Sequence, residues 1–226
     1  MLVSTPRRAI GLMLVASIAL VVLKQPASAQ AAAPAANLID QLMGPDTPAD
    51  VDVTALRQQV AARVQSKADA APLKRPPVAP ELLKLPQFNF DVVFDPDSPV
   101  IRPQSYQTIG RIADALSDPR LLPYAFLVID HTESAGRRSD NLLLSQRRAD
   151  AIRGILSGSF NISSRRLQSL GLGEEQLQDP AHPASPANAR VQIVTIGPVP
   201  AAAAPPPTAS PAPAKKGPSA SSKKHR

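Results

Sequence analysis

The chain has 226 residues but no cysteine and no tryptophan, with only 2 tyrosines and 5 phenylalanines. Without cysteine there is no disulfide to brace a fold in an oxidising compartment and no thiol at a processing point to carry a lipid, so stability rests on a packed core. Few aromatics leave poor stacking platforms for bases. Acidic residues are missing from both ends. Of the formal net charge of +7, three charges come from Arg7, Arg8 and Lys24 and five from Lys215, Lys216, Lys223, Lys224 and Arg226, so residues 30–198 carry −1. The body therefore presents no net basic field, and nucleic acid is not expected as a partner.

Long hydrophobic runs are scarce as well. The one apolar stretch, Ala9 to Leu23, is 15 residues long, short of the roughly 20 needed to span a bilayer. Arg7 and Arg8 precede it and Ala27-Ser28-Ala29 follows it, the pattern of a secretory leader over residues 1–29 with a mature chain from near Gln30. The run holds no acid, which argues against an ion-conducting membrane helix. Nothing before residue 86 repeats the ten-residue alternation of barrel strands. Catalytic signatures are also missing. Ser145 has no G-x-S-x-G around it, and the glycines at 171 and 173 continue into neither G-x-G-x-x-G nor a Lys-Ser pair. Asp130 and His131 point to opposite faces if they share a strand, a poor arrangement for one metal. The expectation is no enzyme, no metal and no cofactor.

What is present alternates between periods. Residues 30–86 are rich in Ala and Pro, with two short helical patterns at 37 to 43 and 54 to about 68. In the second, Leu56, Val60 and Val64 recur every fourth position. So thin a stripe does not hold a helix alone, and this segment is expected to be mobile. Phe88, Phe90 and Val92 then alternate as in a strand that ends at Asp95-Pro96-Asp97. Tyr106, Ile109, Ala113 and Leu116 follow helical spacing after Pro103. Ala125 to Ile129 is a continuous apolar run, the mark of a buried central strand. A helix from about Asn141 to Ser157 buries Ala149, Ile152, Ile155 and Leu156, and two strands follow at 167–172 and 190–196. Strand, helix, strand, helix, strand, strand predicts an α/β fold: a two-layer sandwich, β-α-β-α-β-β, with a mixed sheet covered by helices on one face. Beyond Gly197 the Ala/Pro/Ser/Lys composition predicts disorder over residues 198–226.

One junction concentrates polar residues in a fixed order. Asp130-His131-Thr132-Glu133 leads to Gly136, Asn141, Leu144-Ser145 and Arg148-Ala149; Gly171-Leu172-Gly173-Glu174 and Asn188-Ala189-Arg190-Val191 follow. This set resembles the OmpA-like C-terminal domain, the peptidoglycan-binding module of Gram-negative envelopes, whose signature reads G-H-T-D-x-x-G, four residues, N-x-x-L-S-x-x-R-A. The resemblance covers about residues 86 to 197, and the domain is placed at 87–197. Three positions depart from the pattern: Asp130 stands for glycine, Glu133 for the ligand-binding aspartate, and Ala189 for the first arginine of the closing strand.

The resemblance implies recognition of diaminopimelate in the peptidoglycan stem peptide. Glu133 would take the ammonium and Arg148 the carboxylate, assisted by the backbone from 132 to 136. The candidate ligand-binding residues are Glu133, Arg148, Thr132, Asp130 and Asn141. The bland alternative is that Glu133 and Arg148 pair with each other as a structural ion pair. Asn141 and Ser145 either touch ligand or support the helix start, with support the better reading. His131 is read as packing or hydrogen bonding, and Arg147, about 100° round the helix from Arg148, as a solvent charge. Asp130 either strengthens the field for an ammonium or competes for Arg148. The implied protein is periplasmic and tethers envelope components to the wall, with outer-membrane protein or lipopolysaccharide contacts through the basic tail. The alternative is an interaction scaffold that kept the fold and lost the ligand.

Overall fold

A computed structural model describes residues 37–44, 51–66 and 75–199. The leader expected at 1–29 and the tail beyond 199 lie outside the described residues. Helix α1 occupies residues 37–42; α2 (Val53–Gln65), β1 (Gln87–Phe90), α3 (Tyr106–Leu116), β2 (Tyr124–His131), α4 (Arg138–Gly158), β3 (Leu167–Gly173) and β4 (Arg190–Pro198) follow. From β1 onward the order is the expected β-α-β-α-β-β. The sheet runs β1-β4-β2-β3. β4 is antiparallel to both β1 and β2, while β2 and β3 are parallel. A parallel pair needs a long crossover, which α4 supplies.

The sheet is covered on both faces, a correction to the expected single helical layer. On one face Phe126 and Val128 of β2 and Val191 and Ile193 of β4 meet α3 and α4 through Ile109, Leu116, Ile152 and Leu156. On the other, Leu127, Ile129, Leu170, Leu172 and Val194 meet Val53, Leu56 and Val60 of α2, with Val78 and Leu82 beyond it. The cause is β2 itself. All of its residues are buried, and alternate residues of a strand face opposite sides, so a one-sided cover would leave half of this apolar strand in water. The same fact overturns the mobile reading of α2. Its stripe is thin, but Val53, Leu56 and Val60 are at most 5% exposed, and each contributes on the order of 2 kcal/mol of burial. Asp52 caps the helix, its Oδ1 accepting from the amides of Thr54 and Ala55 at 2.9 and 3.0 Å.

β1 is shorter than the alternation at 88–94 predicts. Phe90 pairs with Val191, next to the start of β4, so the partner strand runs out there. Beyond it the Val93 amide donates to Ser105 Oγ at 2.8 Å and Phe94 bridges to Ile101. The chain thus turns back on itself above α4, which matters for the site.

Candidate functional site

The exit of β2, the loop after it and the first half of α4 converge at one end of the sheet. Thr132, Glu133, Asn141 and Arg148 line a single pocket of about 280 Å³, together with Pro96, Asp97, Ala135, Leu144 and Ala189. Four of the five candidate residues therefore share one cavity, although they come from a strand end, a loop and two turns of a helix.

The two charged candidates are not paired with each other: among the described residues no ion pair joins Glu133 to Arg148. Arg148 is held from the far side. Its Nε donates to the Ser98 carbonyl at 3.1 Å, and its guanidinium lies 4.7 Å from the centroid of the Phe94 ring. Phe94 and Ser98 belong to the turn after β1, and Asp97 at its tip has φ +50°, the left-handed region that asparagine and aspartate tolerate best. Spending Nε on a carbonyl leaves the two terminal nitrogens, the fork that matches a carboxylate through two parallel bonds.

Asp130 is buried and does not line the pocket. It is 2% exposed and its Oδ2 has no hydrogen-bond partner. Burial drives its carboxyl well above the usual carboxylate range, against the opposing pull of Arg148 and then Arg190. Arg190, itself lowered to about 10 by burial, donates to the carbonyls of Asn188 and Gln176 at 3.2 Å each. His131 points to the opposite face, as strand alternation requires. Its Nε2 lies 3.3 Å from Gln192 Oε1, and burial, helped by the Arg190 charge, pulls its pKa down to about 3. The imidazole is therefore neutral, a hydrogen-bonded packing group. Thr132 continues the strand pairing through its amide to the Gly173 carbonyl at 3.0 Å.

Asn141 and Ser145 lie inside α4 and do not cap it, because the helix starts at Arg138, three residues before the expected point. Asn141 Nδ2 donates to Glu174 Oε2 at 2.7 Å and approaches the Glu133 carbonyl at 3.4 Å. Ser145 Oγ accepts from the Gly173 amide at 2.8 Å. These bonds press α4 against the end of β3. A Cβ on Gly171 would stand 2.2 Å from the Gln146 nitrogen, so this glycine permits close approach of helix and strand.

Glu174 is the residue that sequence reasoning undervalued. It is 3% exposed, and its Oε1 accepts from Ser134 Oγ at 2.9 Å while Oε2 holds Asn141. The G-x-G-E pattern signalled it, but spacing alone does not show that the acid folds back on the loop after β2. Asn188 acts similarly on the neighbouring loop: its Oδ1 accepts from the Asp179 amide and its Nδ2 donates to the His182 carbonyl, at 2.8 and 2.9 Å. That loop receives the Ser134 amide on the Pro183 carbonyl at 2.8 Å. Arg147 is exposed, as expected, yet it lines an adjoining pocket of about 450 Å³ with Arg137 and Asp140.

A loop and the helix that follows it bearing opposite charges around one pocket, in this order of motifs, agree with the comparison to known families, in which residues 93–192 match the model of the OmpA family. The chain contains an OmpA family domain. The OmpA domain is 30% identical over 98 residues to outer membrane porin F of Pseudomonas aeruginosa, covering 43% of this chain and 27% of that protein. It is 38% identical over 85 residues to the peptidoglycan-associated lipoprotein of Agrobacterium fabrum, covering 38% and 46%. Among solved structures, the peptidoglycan-associated lipoprotein from Burkholderia pseudomallei is similar at 28% identity and a TM-score of 0.37, over 50% of this chain and 92% of that one. The chain spans only 26% to 49% of the length of these and the other curated relatives it matches. Helix α2 and residues 75–85 lie before the matched region. Among the described residues no helix is long and apolar enough to cross a membrane.

Proposed function

We propose that this is a non-catalytic protein of the periplasm that binds peptidoglycan and tethers envelope components to the wall, and that its pocket takes the zwitterionic end of diaminopimelate. The observation that carries this reading is the pair Glu133 and Arg148, opposite charges that line one pocket and make no ion pair with each other. Glu133 holds the ammonium and the terminal nitrogens of Arg148 take the carboxylate. The relatives named as outer membrane and peptidoglycan-associated proteins support the same setting. Each charge-assisted bond contributes on the order of 1.5–3 kcal/mol before ordering and desolvation, so a single site binds in the roughly micromolar to millimolar range. Many sites along one polymer act together through effective concentration.

A second reading, a scaffold without ligand, draws on Asp130. A buried carboxyl within the electrostatic reach of Arg148, where the family pattern has glycine, competes with ligand for the guanidinium when it ionises. Titration of the full chain with diaminopimelate and with a peptide containing it, followed by backbone amide shifts, separates the two. Saturable shifts at Glu133, Ala135 and Arg148 support ligand binding; a flat titration at millimolar ligand refutes it and leaves the scaffold.

A further inference from the structure

The wall of the pocket is braced by residues from outside the OmpA domain. Arg75 and Glu174 have side chains only 3% exposed, and Arg75 Nη2 reaches Glu174 Oε1 at 3.1 Å. Arg75 Nη1 also donates to the Glu174 carbonyl and to Glu175 Oε1, both at 3.3 Å. The other contacts of the Glu174 carboxylate run toward the pocket: Ser134 follows Glu133 directly, and Asn141 binds Glu174 while approaching the Glu133 carbonyl. Beside it Glu175 repeats the arrangement, taking Arg63 of α2 at 3.6 Å and Arg138, the first residue of α4, at 2.9 and 2.7 Å. Each of two adjacent buried acids is thus clasped from one side by the segment before the domain and from the other by the loop or helix that lines the pocket.

We propose that Arg75 is a positioning residue for the pocket: through Glu174 it holds the loop bearing Glu133, so that seating of Arg75 on Glu174 and occupation of the pocket favour one another. The physical basis is that a buried carboxylate deprived of one cation seeks another. When Arg75 leaves, Glu174 is pulled toward Arg138 or toward solvent, and its bonds to Ser134 and Asn141 loosen. Coupling of two binding events is reciprocal, so ligand in the pocket also secures Arg75. A partner or a mechanical load that draws Arg75 off Glu174 lowers the hold on ligand, which would make the tether releasable from its N-terminal side. The ligand part of this inference rests on the reading of the pocket proposed above, whereas the effect on the loop does not.

The test uses the full chain as wild type, Arg75→Met, Arg75→Lys and Arg57→Met. Arg57 of α2 donates to the Ser169 carbonyl and touches neither acid, so its replacement loosens α2 without disturbing Glu174. Two quantities are read in each folded variant: affinity for diaminopimelate by calorimetry, and hydrogen exchange of the Ser134 amide without ligand. Arg75→Met is expected to bind about tenfold more weakly and to exchange Ser134 faster. Arg75→Lys recovers part of both, and Arg57→Met resembles wild type. Equal affinity in Arg75→Met, or an equal loss in Arg57→Met, overturns the proposal. Should wild type itself fail to bind, the ligand reading falls, and exchange alone decides the positioning role: faster exchange confined to Arg75→Met supports it and unchanged exchange refutes it.

Discussion

Replacing His131 with glutamine should remove most of the acid sensitivity of this fold between pH 7.5 and pH 5. The imidazole is 1% exposed, and burial lowers its pKa from 6.5 to about 3. Between those values the unfolded chain binds a proton that the folded chain refuses, so stability is fully present above pH 6.5 and is lost as pH falls toward 3. The shift corresponds to about 5 kcal/mol when complete, at 1.36 kcal/mol per pH unit, and about 2 kcal/mol of it is gone by pH 5. Asp130, the preceding residue, works in the opposite sense. Its carboxyl is raised above the ordinary 3.8, so its contribution is greatest below 3.8 and declines as pH rises through its folded pKa, partly masking the histidine. The clean experiment therefore compares Asp130→Asn with the double variant Asp130→Asn/His131→Gln by urea unfolding at pH 7.5, 6.5, 5.5 and 5.0. The single variant should lose about 2 kcal/mol over that range, and the double variant less than half as much. Equal slopes would refute the claim that His131 is held neutral by burial.

Arg148→Ala should weaken diaminopimelate binding at least tenfold, about 1.4 kcal/mol, without unfolding the domain; calorimetry showing unchanged affinity removes Arg148 from the site. Asp130→Asn should raise stability at pH 7.5 relative to wild type, because a charge-prone buried group becomes a neutral one, and the gain should vanish below pH 3.8; a gain that persists at pH 3 contradicts this. Gly171→Ala should cost about 3 kcal/mol or more, since the new methyl meets helix backbone 2.2 Å away; a melting temperature within a degree of wild type would show that α4 can move off β3. Arg166→Met should cost about 3 kcal/mol in urea unfolding, because Arg166 is 7% exposed and satisfies the carbonyls of Tyr124, Leu116 and Leu121 at 3.0, 2.9 and 2.7 Å; a loss under 1 kcal/mol would mean that water replaces it.

Much of the domain was legible because its elements carry strong local signals. The unbroken apolar run of β2, the helical period after Pro103 and the two strands at the end of the domain each announce their type within a dozen residues. The motif spacing likewise brought Thr132, Glu133, Asn141 and Arg148 to one place, since a strand exit followed by a helix leaves little freedom over fifteen residues. Two expectations failed for a shared reason. The weak stripe of α2 and the single-layer cover both depend on contacts far apart in sequence, and periodicity reports only how a segment could pack, never what it packs against. β1 stopped early because its partner β4 starts at Arg190, again a property of another segment.

The sequence by itself determined the order of strands and helices, the acid and the guanidinium of the candidate site, and the junction that presents them, because those follow from local periods and short spacings. Tertiary structure alone decided the rest. It buried Asp130 away from the pocket lining and put Phe94 and Ser98 against Arg148 and Arg75 on Glu174 across 99 residues of chain. A buried charge is satisfied by whatever group the folded chain carries to it, and that group has no fixed distance along the sequence.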